Sequence, residues 1–126
     1  MRINWITIRV NKFEESKKFY NEYLGMKVER EFSPTKSMSI AFFVADNGMK
    51  IELIYDKDSK KESSNNSSIS IGVSSQDYDN LLQKARVRKI ITVEPTILGG
   101  HMECFFVDDP NGIGFQIAKE DTVDIK

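Results

Sequence analysis

Two phrases of the chain differ at a position that could do chemistry. The stretch FFVADNGMKIEL carries Glu52, and half a chain later FFVDDPNGIGFQI repeats it with Gln116 in the place of that glutamate. A carboxylate drawn into an apolar site has its pKa raised by desolvation, which is what proton abstraction near neutral pH requires. An amide can orient a ligand by hydrogen bonding but takes no proton in that range. Trp5, Thr7 and Arg9 alternate along WITIRV and so share one side of an extended segment. Trp5 offers a stacking wall, and Arg9 a cation that either holds an anionic substrate or neutralises Glu52, of which pairing is the simpler reading. Ser68 and Ser70 stand at matching places in SISIGV and supply neutral hydroxyls. His101, the single histidine, and Glu103 are further donors near the start of a strand. Cys104 has no basic partner nearby in sequence and reads as a buried, inert thiol.

The elements that must position these residues show in the periodicity. In WITIRV and SISIGV the residues Ile6, Ile8, Val10 and Ile69, Ile71, Val73 alternate with the polar set, the pattern of a strand with one aliphatic face. Each hexamer leads into a helical pattern. The first is FEESKKFYNEYL, with Phe13, Tyr20 and Leu24 on one face and Gly25 to close it; the second is DYDNLLQKA, with Tyr78, Leu81, Leu82 and Ala85, and with Ser74 or Ser75 as its cap. Strands are expected near 26–32, 39–45 and 49–55, and again near 89–93, 102–107 and 113–118, with DNG and DDPNG as turns. The order is βαβββ, twice. A helix covers the aliphatic face of each module, so the polar faces would line a shared cup. Phe32, Tyr55 and one ring from each of the pairs Phe42/Phe43 and Phe105/Phe106 are candidates to join Trp5 there, the other ring of each pair serving the core.

Composition narrows the function classes. A chain of 126 residues with 18 basic and 19 acidic side chains has no bulk charge to attract nucleic acid. No apolar run approaches the roughly 20 residues of a membrane span, and the polar interruptions Asn4 and Arg9 break any signal-peptide core. With one cysteine there is no internal disulfide, so a reduced, cytoplasmic setting is expected.

The phrase FYNEYLGMKV after an ESKK helix start, together with DDPNGIGFQI, resembles the vicinal oxygen chelate superfamily, the glyoxalase, bleomycin-resistance and extradiol dioxygenase group, from Ile3 to Ile117. The resemblance implies an α+β fold in which two tandem βαβββ modules form a curled mixed sheet, the glyoxalase-like cup. Module one would occupy 1–56, a linker 57–67 and module two 68–120. It also implies four metal-ligand positions, which fall on Trp5, Glu52, Ser68 and Gln116; of these only Glu52 matches the family's His and Glu. Trp has no lone pair for a cation, and Ser and Gln are weak neutral donors, so no metal and no cofactor are assigned. The leading function is metal-free binding of a small organic molecule by Trp5, Thr7, Arg9, Glu52, Ser68, Ser70 and Gln116. The alternative is a metal-independent lyase or isomerase with Glu52 as the catalytic base. A third reading has a metal held atypically by Glu52, His101 and Glu103. The expected partner is a small-molecule ligand, with no nucleic acid and no membrane, and the resemblance implies a homodimer.

Overall fold

Apolar residues at alternate positions give strands such as Met38–Val44, Lys50–Asp56, Met102–Asp108 and Gly114–Lys119 one buried side, and packing those sides under a helix builds the two units. The computed structural model describes residues 1–59 and 68–123. The chain divides into two compact units, Met1–Ser64 and Asn65–Lys126. Most of the linker read at 57–67 lies outside the described residues.

The first unit runs β1 (Trp5–Arg9), α1 (Phe13–Lys18), a π-helical turn (Phe19–Tyr23), β2 (Lys27–Phe32), β3 (Met38–Val44) and β4 (Lys50–Asp56). Its mixed sheet has the order β1-β4-β3-β2, with β1 parallel to β4 and the other pairs antiparallel. Ile8, Phe43, Ala41, Ile51 and Leu53 face the helix and are buried. The helix buries a different set than its period suggests. Widening of the last turns from α to π geometry brings Phe19, Tyr20 and Tyr23 inward, with Tyr20 packed 6.0 Å from Phe43, while Phe13 and Leu24 stay half-buried. Gly25, at φ +73, closes this helix as its sequence position indicates. Tyr55 stacks on Phe13 at 6.1 Å, on the helix side and not on the face of Glu52, which removes it from the candidate ligand wall.

The second unit runs β5 (Ser70–Ser75), α2 (Tyr78–Arg88), β6 (Ile91–Leu98), β7 (Met102–Asp108), β8 (Gly114–Lys119) and a short 3₁₀ turn at Glu120–Thr122. Its sheet order, β5-β8-β7-β6, repeats that of the first. Tyr78, Leu81 and Ala85 are the buried face of α2, and Tyr78 meets the edge of Phe105 at 5.3 Å. Ser74 and Ser75 do not cap this helix, because both belong to β5; Asp77 takes the cap position, its own N–H donating to Ser75 Oγ at 2.9 Å. β6 is longer than its apolar pattern, and Pro95 sits at a register shift on this edge strand, where a missing N–H costs no ladder bond. Each module thus has the βαβββ order, and the expected curled mixed sheet takes the form of two four-stranded sheets.

The turn DDPNG joins β7 to β8 with two adjacent carboxylates in different roles. Asp109 is buried and hydrogen-bonded within the turn, whereas Asp108 is exposed at the end of β7. Partial burial, and then the neighbouring Asp109 charge, hold the Asp108 carboxyl above its usual range. A carboxyl with a raised folded-state pKa binds its proton more tightly folded than unfolded, so its cost is absent below the unfolded value and complete above the folded one. Asp108→Asn is therefore expected to raise the melting temperature at pH 7, with the gain vanishing below about pH 4. Thermal melts of both proteins across pH 3 to 8 check this, and a gain that persists at pH 3 would assign the effect to something other than charge.

Candidate functional site

The face of the first sheet opposite α1 is built by strand register. Thr7 on β1 and Phe42 on β3 both lie across from Glu52, and Arg30 on β2 lies across from Phe42. One row therefore reads Thr7, Glu52, Phe42, Arg30. The flanking rows are Trp5, Lys50, Val44, Lys27 and Arg9, Ile54, Ile40, Phe32. The face is polar in part only, since Ile40 on it is buried.

Glu52 is half-buried. Thr7 Oγ1 donates to its Oε1 at 2.7 Å, which fixes the carboxylate and leaves Oε2 without a hydrogen bond among the described residues. The expected pairing of Glu52 with Arg9 does not form. Arg9 lies one row away, across from Ile54, and a threonine directly opposite in parallel register is the nearer donor. Trp5 is 54% exposed at the edge of the sheet, well away from the helix-side core.

β2 contributes residues that alternation alone misplaces. Val28 lies opposite Phe43 on the helix side, and a bulge at Glu29 lets Arg30 lie opposite Phe42 on the other side. The extra residue reverses the alternation, so Arg30 and Phe32 share the face of Glu52. The Arg30 guanidinium stands 4.3 Å from the Phe32 ring centroid, a cation–π contact. Glu29 reaches Lys50 at 2.7 Å and neutralises it. Nothing in the sequence points to Arg30, since a Lys-Val-Glu-Arg run gives no local sign of a bulge.

In the second sheet the corresponding row reads Gly72, Gln116, Phe106, Val93. Gln116 Nε2 donates to Cys104 Sγ at 3.5 Å, and Cys104 is fully buried on the same face. Ser68 lies in a turn ahead of β5, and Ser70 pairs with Gly114 as Trp5 pairs with Lys50. The hydroxyl equivalent to the first-module Trp5 is thus Ser70, two residues later than the repeat in sequence places it. The shift leaves the donor chemistry unchanged.

His101 and Glu103 do not join this face. Glu103 alternates with Phe105 and Val107 toward α2, where burial first and the Glu103 carboxylate second push the Tyr78 phenol up to about 12. His101 precedes β7 and its Nδ1 lies 2.9 Å from the Thr122 carbonyl oxygen. The ligand set that needs Glu103 on the face of Gln116 is therefore not met. Among the described residues no three His, Cys, Asp or Glu side chains gather as metal ligands do. On the first sheet Glu52 is the one carboxylate on the row it shares with Thr7 and Phe42. On the second, Ser70 and Gln116 offer a hydroxyl and an amide, and neither set is basic enough to fit a divalent cation.

Among the described residues no helix is long and apolar enough to cross a membrane. A profile of the Glyoxalase/Bleomycin resistance protein/Dioxygenase superfamily matches residues 2–117. No curated protein matches the sequence. Among solved structures, the trypanothione-dependent glyoxalase I of Leishmania major is 26% identical with a TM-score of 0.76, over 97% of this chain and 88% of that one. Glyoxalase I from Zea mays is 25% identical with a TM-score of 0.75; 94% of this chain is covered, and the chain spans 44% of the length of the maize enzyme. The antibiotic-binding protein TnmS3 from Streptomyces sp. CB03234 shares the fold at 14% identity, with a TM-score of 0.72 over 95% of this chain and 96% of that one.

Proposed function

The chain belongs to the Glyoxalase/Bleomycin resistance protein/Dioxygenase superfamily, and from that premise we propose that it binds a small organic molecule without a metal, on the sheet face that carries Glu52. The observation that carries the reading is the composition of that face. A fixed carboxylate with one open oxygen lies across from Phe42, with Trp5 on the adjacent row, and among the described residues no group of three metal-ligating side chains includes it. An aromatic floor gives large contact area at low entropic cost, and the carboxylate orients a cationic or hydrogen-bonding group. TnmS3 is an antibiotic-binding protein, and the Leishmania major glyoxalase I is trypanothione-dependent. In the second module Ser68, Ser70 and Gln116 are assigned as neutral hydrogen-bonding groups. The chain is assigned to a reduced, cytoplasmic setting on its single cysteine. It is also assigned a homodimer, supported by exposed Ile3, Ile6 and Ile69 and checked by sedimentation equilibrium.

The test is metal loading followed by ligand titration. After incubation with Ni, Zn, Mn and Fe and dialysis, elemental analysis is expected to find less than about a tenth of an equivalent bound; about one per chain would overturn the metal-free reading. A panel of small aromatic compounds is then titrated against the fluorescence of Trp5, the single tryptophan. Trp5→Ala is expected to weaken binding of the compounds that quench it, measured by calorimetry, while the unfolding midpoint stays near that of the parent. A markedly lowered unfolding midpoint with no change in affinity would return the ring to the core.

A second reading, that Glu52 acts as a general base in a metal-independent lyase or isomerase, is favoured by the open Oε2. Glu52→Gln separates the two. Binding survives with a modest loss if the carboxylate only orients the ligand, whereas turnover falls by about a hundredfold or more if it takes a proton.

A further inference from the structure

The charges on the Glu52 face do not all cancel. Lys50 is neutralised by Glu29, and Glu52 is engaged by an uncharged threonine. Arg30 makes no ion pair among the described residues; its guanidinium instead rests 4.3 Å over the Phe32 ring. An arginine laid on an aromatic ring keeps its fork of N–H donors free at the edge and loses less rotamer freedom when an anion arrives. Phe42 lies between it and Glu52 in register. Two strand spacings put the Cα atoms of Arg30 and Glu52 about 10 Å apart, the span of a bicyclic aromatic molecule with a substituent.

We propose that Arg30, propped on Phe32, is an anion-binding subsite of the Glu52 face, so that the ligand is a small organic acid whose apolar body lies over Phe42 and whose carboxylate, sulfonate or phosphate group meets the guanidinium. The bulge at Glu29 is the device that makes this possible. It turns Arg30 and Phe32 onto the site face, and its own carboxylate removes Lys50 as a competitor for the anion. Arg9 and Lys27, on the flanking rows, add positive potential, and among the described residues neither rests on a ring as Arg30 does. The inference rests on the binding function proposed above and names the class of molecule bound.

The experiment uses two dyes that share an aryl-naphthylamine body, 8-anilinonaphthalene-1-sulfonate and the uncharged N-phenyl-1-naphthylamine. Affinities are measured by fluorescence titration for the parent protein and for Arg30→Gln, Arg30→Lys, Trp5→Ala and Phe42→Ala. The parent is expected to prefer the sulfonate. Arg30→Gln is expected to weaken the sulfonate by about fivefold or more with the neutral dye unchanged, and Arg30→Lys to fall between, because charge is kept but the planar fork and its stacking are lost. An unchanged ratio of the two affinities in Arg30→Gln would overturn the anion subsite; if Trp5→Ala and Phe42→Ala still weaken both dyes, the binding face itself stands. Failure of both dyes to bind, or binding indifferent to all four substitutions, overturns the subsite and the binding face together.

Discussion

Phe43→Ala is expected to cost about 3–5 kcal/mol of folding stability, while Phe42→Ala, one residue away, costs less than half as much. Both rings belong to one dipeptide on β3, and their surroundings are opposite. Phe43 is fully buried on the helix side, 6.0 Å from Tyr20. Its loss leaves a cavity that the π turn and the β4 residues Ile51 and Leu53 cannot close without moving backbone. Phe42 is half-buried between Arg30 and Glu52, so truncation there removes a floor for ligand more than a filling of the core. Urea unfolding of the two variants, compared at equal slope, measures the difference directly. Equal losses would place both rings in the core and leave the Glu52 face without its aromatic floor.

Asp109→Ala is expected to destabilise by about 2–3 kcal/mol, the second largest effect and one that comes from a turn. Asp109 is 4% exposed, and its Oδ1 accepts from the N–H groups of Asn111 and Ile113, each at 2.8 Å, while Oδ2 accepts from Asn111 Nδ2 at 3.1 Å. Its own N–H donates to the Ile113 carbonyl at 2.9 Å, so the side chain and main chain together hold the two strands in register. Alanine leaves the N–H of Ile113, a buried residue, without its acceptor. The cost of an unmade buried bond exceeds the modest net value of a made one. Asp109→Asn keeps one side-chain oxygen and is expected to lose less, by the same urea experiment. A loss below about 0.5 kcal/mol for the alanine variant would mean that the Pro-Asn-Gly chemistry alone fixes the turn.

Local pattern and residue chemistry are legible without the fold. Alternation in WITIRV and SISIGV, the glycine and asparagine of the two turns and the doubled FFV phrase specify a repeated βαβββ chain, because period-2 burial and positive-φ turns act over a few residues. The donor types at Trp5, Glu52 and Gln116 were equally legible, since lone pairs do not depend on the fold. Register was not. That Glu52 meets Thr7 and not Arg9, that Ser70 and not Ser68 stands opposite Gly114, and that Glu103 points toward Tyr78 are settled between strands far apart in the chain. A shift of one residue moves a side chain to the other face. The same holds for the two irregularities with the largest consequences. The π turn at Phe19–Tyr23 changes which rings fill the core, and the bulge at Glu29 changes which cation faces the site. Both are choices of backbone geometry made by packing against the sheet, and the residues that adopt them carry no local signature of it.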